Sequence, residues 1–109
     1  LLGRETDLII RGGQNIYPID IEAALTQHPH VREVSVAGIP EPEMGERVWA
    51  FVVCHPNRSL TLAEIRIFLE EKGLARFKWP EGLTLLESLP KVAAGHKIDR
   101  EKLKQMAQG

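Results

Sequence analysis

The sequence predicts an α+β domain: a small central sheet of about three strands with helices packed on it, preceded by a short two-stranded hairpin. Three observations predict it. "VWAFVVC", Val48 to Cys54, is apolar at every position, as a strand covered on both faces must be. "TLAEIRIFLEEKG", Thr61 to Gly73, carries an apolar stripe at helical spacing between a start and a stop signal. In "DLIIRGGQNIY", Asp7 to Tyr17, paired glycines separate two short apolar runs, the pattern of a hairpin or a bent loop.

Each element has its own reason. Asp7 to Arg11 reads as a strand, Gly12 to Asn15 as turn chemistry, and Ile16-Tyr17 as the return. Pro18 suits the first position of a helix, and Asp20 and Glu22 place negative charge where the helix dipole favours it. Ile21, Ala24, Leu25 and His28 fall on one face, and Pro29 closes the segment. Val31 to Ala37 alternates, with Val34 and Val36 on one side and Glu33 and Ser35 on a wet face. "GIPEPEMGE", Gly38 to Glu46, is rich enough in proline and glycine to be expected as an exposed connection. In the second helix Thr61 and Glu64 have capping-box spacing, Leu62, Ile65, Phe68 and Leu69 form the stripe, and Gly73 stands at C′. "EGLTLLESLP", Glu81 to Pro90, is a last strand, and Asp99 caps a closing helix whose apolar residues are Leu103 and Met106.

Composition narrows the function classes. The chain has 109 residues, the size of one domain, and a net charge of −1, so no global field draws it to nucleic acid or anionic lipid. No window reaches the roughly 18 apolar residues that a membrane span requires. The single cysteine, Cys54, lies in an apolar run and reads as a buried strand thiol, in keeping with a reducing, cytoplasmic setting. The opening "LLGRETDLII" has neither methionine nor a leader pattern, and a piece of a longer protein is expected.

Two glycine-containing segments carry the chemistry. Gly12-Gly13 is either a bare turn or a place where backbone approaches a ligand too closely for any side chain. It is neither a nucleotide P-loop, which needs G-x-x-x-x-G-K-[ST], nor a GXXG RNA-binding loop. In "LPKVAAGHKIDREKL", Leu89 to Leu103, Lys97 follows small residues and a glycine. A lysine is a compact charge on a long flexible stem, suited to meeting a phosphate or carboxylate from a distance. The bland alternative is a solvated loop lysine.

Taken together, "GR…DLIIRGGQNIYP…IE" and, about seventy residues later, "LPK…GHKIDR" resemble the C-terminal domain of the adenylate-forming superfamily of acyl- and aryl-CoA synthetases, nonribosomal adenylation domains and luciferases. "HPHVREVSVAGIPEPEMGERVWAFVV" is similar to that family's central strands, and "LARFKWPEGLTLLESLP" to the approach to its catalytic lysine. The resemblance covers essentially the whole chain and is greatest to an acyl- or aryl-CoA ligase acting on fatty or aromatic acids.

The resemblance implies a division of labour. Residues 1–6 would be a hinge from an N-terminal domain that binds ATP, Mg2+ and the carboxylic acid, and residues 7–109 a mobile lid with two poses. Lys97 matches the lysine that reaches the site while a carboxylate attacks the α-phosphate, giving an acyl-adenylate and pyrophosphate. Here His96 stands between Gly95 and Lys97, where the family has glycine directly before lysine. His96 is either a one-residue insertion or an anion contact, and Lys91 is the competing lysine. Arg4 corresponds to an arginine near the nucleotide, and Thr6 to the hinge position, with Asp7 able to share that role. Gly13, beside Gly12, aligns with the glycine lining the pantetheine tunnel when CoA enters in the second pose. Arg76 and Lys78 are candidates for the phosphates of CoA. For Glu22, Glu46 and Asp99 a cap, turn or exposed role is expected.

The reading is therefore the C-terminal lid of an ATP-dependent carboxylate–CoA ligase, inactive as an isolated domain. Its partners would be its own N-terminal domain, a carboxylic acid, ATP and CoA. An adenylation domain loading a carrier protein and a noncatalytic standalone interaction module are the alternatives. Nucleic-acid binding through "IRGGQNI" would need a basic face that the charge balance does not supply.

Overall fold

The computed structural model describes residues 8–92 and 97–108, so Arg4, Thr6, Asp7, Gly95 and His96 lie outside the described residues. The elements follow the order β1 (Ile9–Arg11), β2 (Gln14–Ile16), α1 (Pro18–Leu25), β3 (Val31–Glu41), β4 (Gly45–Cys54), α2 (Leu62–Glu71), a 3-10 turn (Arg76–Lys78), β5 (Gly82–Leu85) and α3 (Arg100–Gln108). The α+β class stands.

The strand arrangement differs from the expectation of three strands plus a separate hairpin. All five strands form one sheet, ordered β2-β1-β4-β3, with β5 also on β4. Contacts at its turn end weld the hairpin to the rest, among them the pairing of Arg11 with Gly45 and the Glu46 carboxylate, which accepts the Ile10 N–H at 2.9 Å. Gly38 makes room for that carboxylate, since a Cβ there would lie 2.9 Å from Glu46 Cδ. Neighbouring strands run antiparallel except β4 and β5, whose parallel pairing requires the crossover that α2 supplies.

β4 is the central strand, and its unbroken apolar run has the expected cause. Val48, Ala50 and Val52 enter one buried cluster with Ile9, Ile16, Ile21, Leu25, Ile65 and Leu69, beneath α1 and α2. Phe51 and Val53 enter a second cluster with Ala37, Ile39, Leu89 and Leu103, beneath α3. Period-two alternation thus feeds two cores from one strand.

Three expectations are corrected. The connection expected over Gly38 to Glu46 is mostly strand: β3 continues to Glu41, pairing Pro40 with Glu46, and only residues 42–44 form the turn. Pro40 is tolerated because β3 is an edge strand and needs no outward donor. The face carrying Ser35 is not wet, since α3 covers it and Ser35 is fully buried. On α3 itself Leu103 is buried but Met106 is exposed, with Ala107 packed against the second cluster instead.

The helix signals are realised in detail. Thr61 Oγ1 accepts the Glu64 N–H at 3.1 Å, and the Glu64 carboxylate accepts the Thr61 N–H at 2.9 Å, a complete capping box. Gly73, at φ +82°, ends α2 while Leu74 N–H returns to Leu69 O and Gly73 N–H to Glu70 O, the paired bonds of a Schellman close. α1 stops at Leu25 rather than reaching His28, because Gln27 and His28 bond back only three residues and tighten the last turn.

Candidate functional site

The glycine segment is a two-residue hairpin turn between Arg11 and Gln14, with Gly12 at φ +56° and Gly13 at φ +84°. Positive φ at both central positions matches the turn twist that favours hairpins, and glycine adopts it without a Cβ clash. Their surroundings differ. Gly12 N–H donates to Met44 O at 2.8 Å, and a Cβ on Gly12 would press on the Met44 methyl. A Cβ on Gly13 would meet nothing within 4 Å and would project away from the domain.

Beside this turn lies a cleft of about 480 Å³ whose walls include Arg11, Gly12, Arg66, Arg76, Trp79 and Glu81. Arg11 is neutralised by Glu81 and by Glu41 at 3.6 Å, and it also donates to Glu46 O at 3.0 Å. Arg66 and Arg76 have no ion-pair partner among the described residues; their guanidinium carbons lie 5.9 and 5.6 Å from the Trp79 ring centroid. Trp79 is fixed by its indole N–H donating to Leu74 O at 2.9 Å. Two guanidinium groups thus lie over one held indole on the wall of the cleft.

The expected basic pair is accordingly split. Arg76 lines the cleft, whereas Lys78 turns away to Asp20, 3.6 Å distant, and ties the 3-10 turn to the start of α1. Arg66, on α2, is the partner that sequence reasoning missed. It is the polar residue next to Ile65 in an amphipathic helix, and nothing in its spacing distinguishes it from other exposed charges.

Lys97 sits on the other face. Its carbonyl accepts the Val92 N–H at 2.8 Å, Lys91 bridges to Ile98, and Asp99 N–H reaches Pro90 O at 2.9 Å, pairing residues 90–92 with 97–99 at the base of α3. Ile98 packs on the second cluster, while the Lys97 side chain is exposed with no hydrogen-bond or ion-pair partner among the described residues. Lys91 is engaged instead, 4.0 Å from Glu33 and 3.5 Å from Leu89 O. Of the two lysines, Lys97 is the one available to an incoming anion.

The acidic positions resolve differently from one another. Asp99 caps α3, accepting the Lys102 N–H at 3.1 Å, as expected. Glu46 holds the hairpin to the sheet. Glu22 is not exposed: it is 8% accessible, its Oε2 accepts the Val36 N–H at 2.8 Å, and Arg100 Nη1 lies 3.7 Å away. Burial pushes the Cys54 thiol above its ordinary pKa, which keeps it protonated and poorly nucleophilic at neutral pH. Among the described residues no group of three or more His, Cys, Asp or Glu is placed to hold a metal ion. Among the same residues no helix is long and apolar enough to cross a membrane.

The glycine turn with its cationic cleft and the unpaired Lys97 thus lie toward opposite ends and on opposite faces of one sheet. β4 begins beside the turn at Gly45 and ends at Cys54, next to the Glu33–Lys91 pair. Its ten residues span about 30 Å at ~3.4 Å each. A small cavity of about 50 Å³, lined by Val36, Gly38, Glu46 and Arg100 among others, lies between the two regions.

Residues 20–96 match the AMP-binding enzyme C-terminal domain family, and the chain belongs to that family. It is 38% identical over 96 residues to the medium-chain fatty-acid–CoA ligase of Escherichia coli K12 and 43% identical over 105 residues to the 2-succinylbenzoate–CoA ligase of Listeria monocytogenes. These matches take in 87% and 96% of this chain but only 17% and 22% of the relatives' own length. The crystal structure of apo MatB from Rhodopseudomonas palustris superimposes with a TM-score of 0.88 at 34% identity, over 98% of this chain and 21% of that one.

Proposed function

We propose that this chain is the lid domain of an ATP-dependent carboxylate–CoA ligase that forms an acyl-adenylate and then a CoA thioester, with residues 1–6 as the hinge and 7–109 as the lid. The observation that carries the proposal is the separation of Lys97 from Gly13. One active site in a larger N-terminal domain can meet both only if this domain turns between two poses. Family membership and the CoA-ligase names of two relatives support the reading.

In the first pose Lys97 brings its ammonium to the carboxylate and the α-phosphate. Two anions must approach each other, so a fixed cation touching both stabilises the transition state more than the separated reactants. Among the described residues no carboxylate lies within ion-pair distance of the Lys97 ammonium. Arg4 would bond the nucleotide, and Thr6 and Asp7 would absorb the dihedral change of the rotation. Mg2+ and most contacts to ATP belong to the N-terminal domain.

In the second pose the Gly12-Gly13 turn would line the path of the pantetheine arm. Gly13 fits this role because its missing side chain would otherwise point outward into that path. The adjacent cleft suits the nucleotide end of CoA: Arg66 and Arg76 offer two unpaired guanidinium groups, and Trp79 holds them in place.

The test is product analysis with the longer enzyme that carries this domain, supplied with ATP and a panel of carboxylic acids. Acid-dependent pyrophosphate release without CoA, and AMP with acyl-CoA when CoA is added, are expected. Release of ADP and phosphate, or no acid dependence across the panel, would contradict the proposal.

A further inference from the structure

The residues that follow Lys97 meet a polar cluster that the apolar core does not require. β3 is the outer strand of the sheet on this side, so the Val36 peptide points both its groups away from β4. Glu22, from α1 on one face, takes the Val36 N–H at 2.8 Å. Arg100, from the first turn of α3 on the other face, donates Nη1 to Ser35 Oγ at 3.0 Å and to Val36 O at 3.3 Å. The two side chains meet at 3.7 Å. Ser35 is fully buried, Glu22 nearly so, and the Arg100 side chain is 21% accessible. Two charges are thus drawn largely out of water across a strand edge, an arrangement that contributes little to stability compared with an apolar replacement.

Its position along the chain gives it another use. Arg100 lies three residues after Lys97, and between them Ile98 is anchored in the second cluster and Asp99 in the α3 cap. The backbone that carries the lysine is therefore pinned on the core side by Ile98 and on the edge side by Arg100.

We propose that Glu22, Ser35 and Arg100 act as a positioning clamp for Lys97, fixing the base of its segment so that the ammonium arrives in register during adenylation. This rests on the reading of Lys97 as the adenylation lysine. A misplacement of about 1 Å can cost ~100-fold in rate. The clamp touches neither ATP nor the acid, so Arg100 and Glu22 are positioning residues and not catalytic ones.

The test uses the longer enzyme carrying this domain and times each half-reaction separately, with acyl-adenylate supplied for the second. Arg100→Ala is expected to slow adenylate formation by about 10- to 100-fold, to leave KM for ATP and the acid within about twofold, and to leave thioester formation from supplied adenylate within about twofold. Glu22→Gln keeps an acceptor for the Val36 N–H but removes the charge facing Arg100. It should show the same one-sided loss at about severalfold, and it decides the matter if Arg100→Ala does not fold. Arg100→Ala should cause no further loss when Lys97→Ala is already present. Equal loss in both half-reactions, or losses that multiply in the double variant, would overturn the clamp. If Lys97→Ala slows adenylation while Arg100→Ala and Glu22→Gln run at the parent rate, the clamp alone is wrong. A Lys97→Ala variant with undiminished adenylation removes the functional reading beneath it.

Discussion

The glycine hairpin and the Lys97 return solve opposite problems with similar local sequence. Each follows a short approach of small or apolar residues and contains glycine, yet under the proposed function glycine is itself the working element at the hairpin and only precedes it at the return. Gly12 and Gly13 hold a backbone shape that side chains resist, and Gly13 faces open space. Lys97 extends a long charged arm from a base fixed by Ile98 and Arg100. One end offers the absence of a side chain, the other the reach of one. If the domain serves two successive reactions, as proposed, it needs both, kept far enough apart that neither intrudes on the other's step.

The contrast can be broken most forcefully at the lysine. Lys97→Ala in the longer enzyme should slow adenylation by two to three decades, about 3 to 4 kcal/mol, as loss of one fixed electrostatic contact commonly does. Lys91→Ala should leave it nearly unchanged, because Lys91 is turned to Glu33. Single-turnover pyrophosphate release measures both, and a larger loss for Lys91→Ala would reverse their assignment.

At the other end the cationic cleft sharpens the comparison. Arg76→Ala should raise KM for CoA by roughly 1.5 to 3 kcal/mol, the worth of a hydrogen bond to a charged group, while adenylation is unaffected. Pantetheine, which lacks the nucleotide, should be used equally well by parent and variant. An equal penalty with pantetheine would place Arg76 somewhere other than against the nucleotide.

Smaller effects concern the frame that both ends share. Thr61→Ala removes the side-chain acceptor of the capping box and should lower stability by about 1 kcal/mol in denaturant unfolding of the domain. Adenylation should be unaltered, because α2 covers the face opposite Lys97.

The pH dependence of the same frame has a defined sign. Burial first, and the neighbouring His30 second, hold the His28 pKa below its ordinary 6.5, with Glu64 pulling the other way. His28 Nδ1 accepts the His30 N–H at 3.0 Å, and the ring stands edge-on to Phe68 at 4.7 Å, so the neutral form is the one that fits. Unfolding returns the ring to its ordinary value, and the unfolded chain takes up the proton first as pH falls. The stability contributed by His28 is therefore whole above about pH 6.5 and is lost as pH drops toward the lowered folded value. Urea midpoints of the parent should decline across that window, and His28→Asn should flatten the decline.

Much of this molecule was legible as sequence, and the parts that were not share a cause. The α2 caps, the two-faced burial of β4 and the hairpin turn each follow from residues within a few positions of one another, where local chemistry decides. Gly38 to Glu46 misled because proline and glycine signal a connection, whereas Pro40 lies on an edge strand with no outward partner to lose and Gly38 yields space to Glu46. Ser35 was read as solvated because α3, more than sixty residues further on, returns to cover it. Arg66 entered the cleft, and Lys78 left it, through contacts with Trp79 and Asp20 that no spacing rule encodes. Glu22 and Arg100 were both visible, but their meeting across a strand edge was not.

The most direct measurement is a pair of variants in the longer enzyme, Lys97→Ala and Gly13→Leu, assayed for adenylate formation and, with acyl-adenylate supplied, for thioester formation. Lys97→Ala should fail the first and pass the second, and Gly13→Leu should pass the first and fail the second. Both variants losing the same half-reaction, or each losing both equally, would contradict the claim that the two ends of this sheet act in turn.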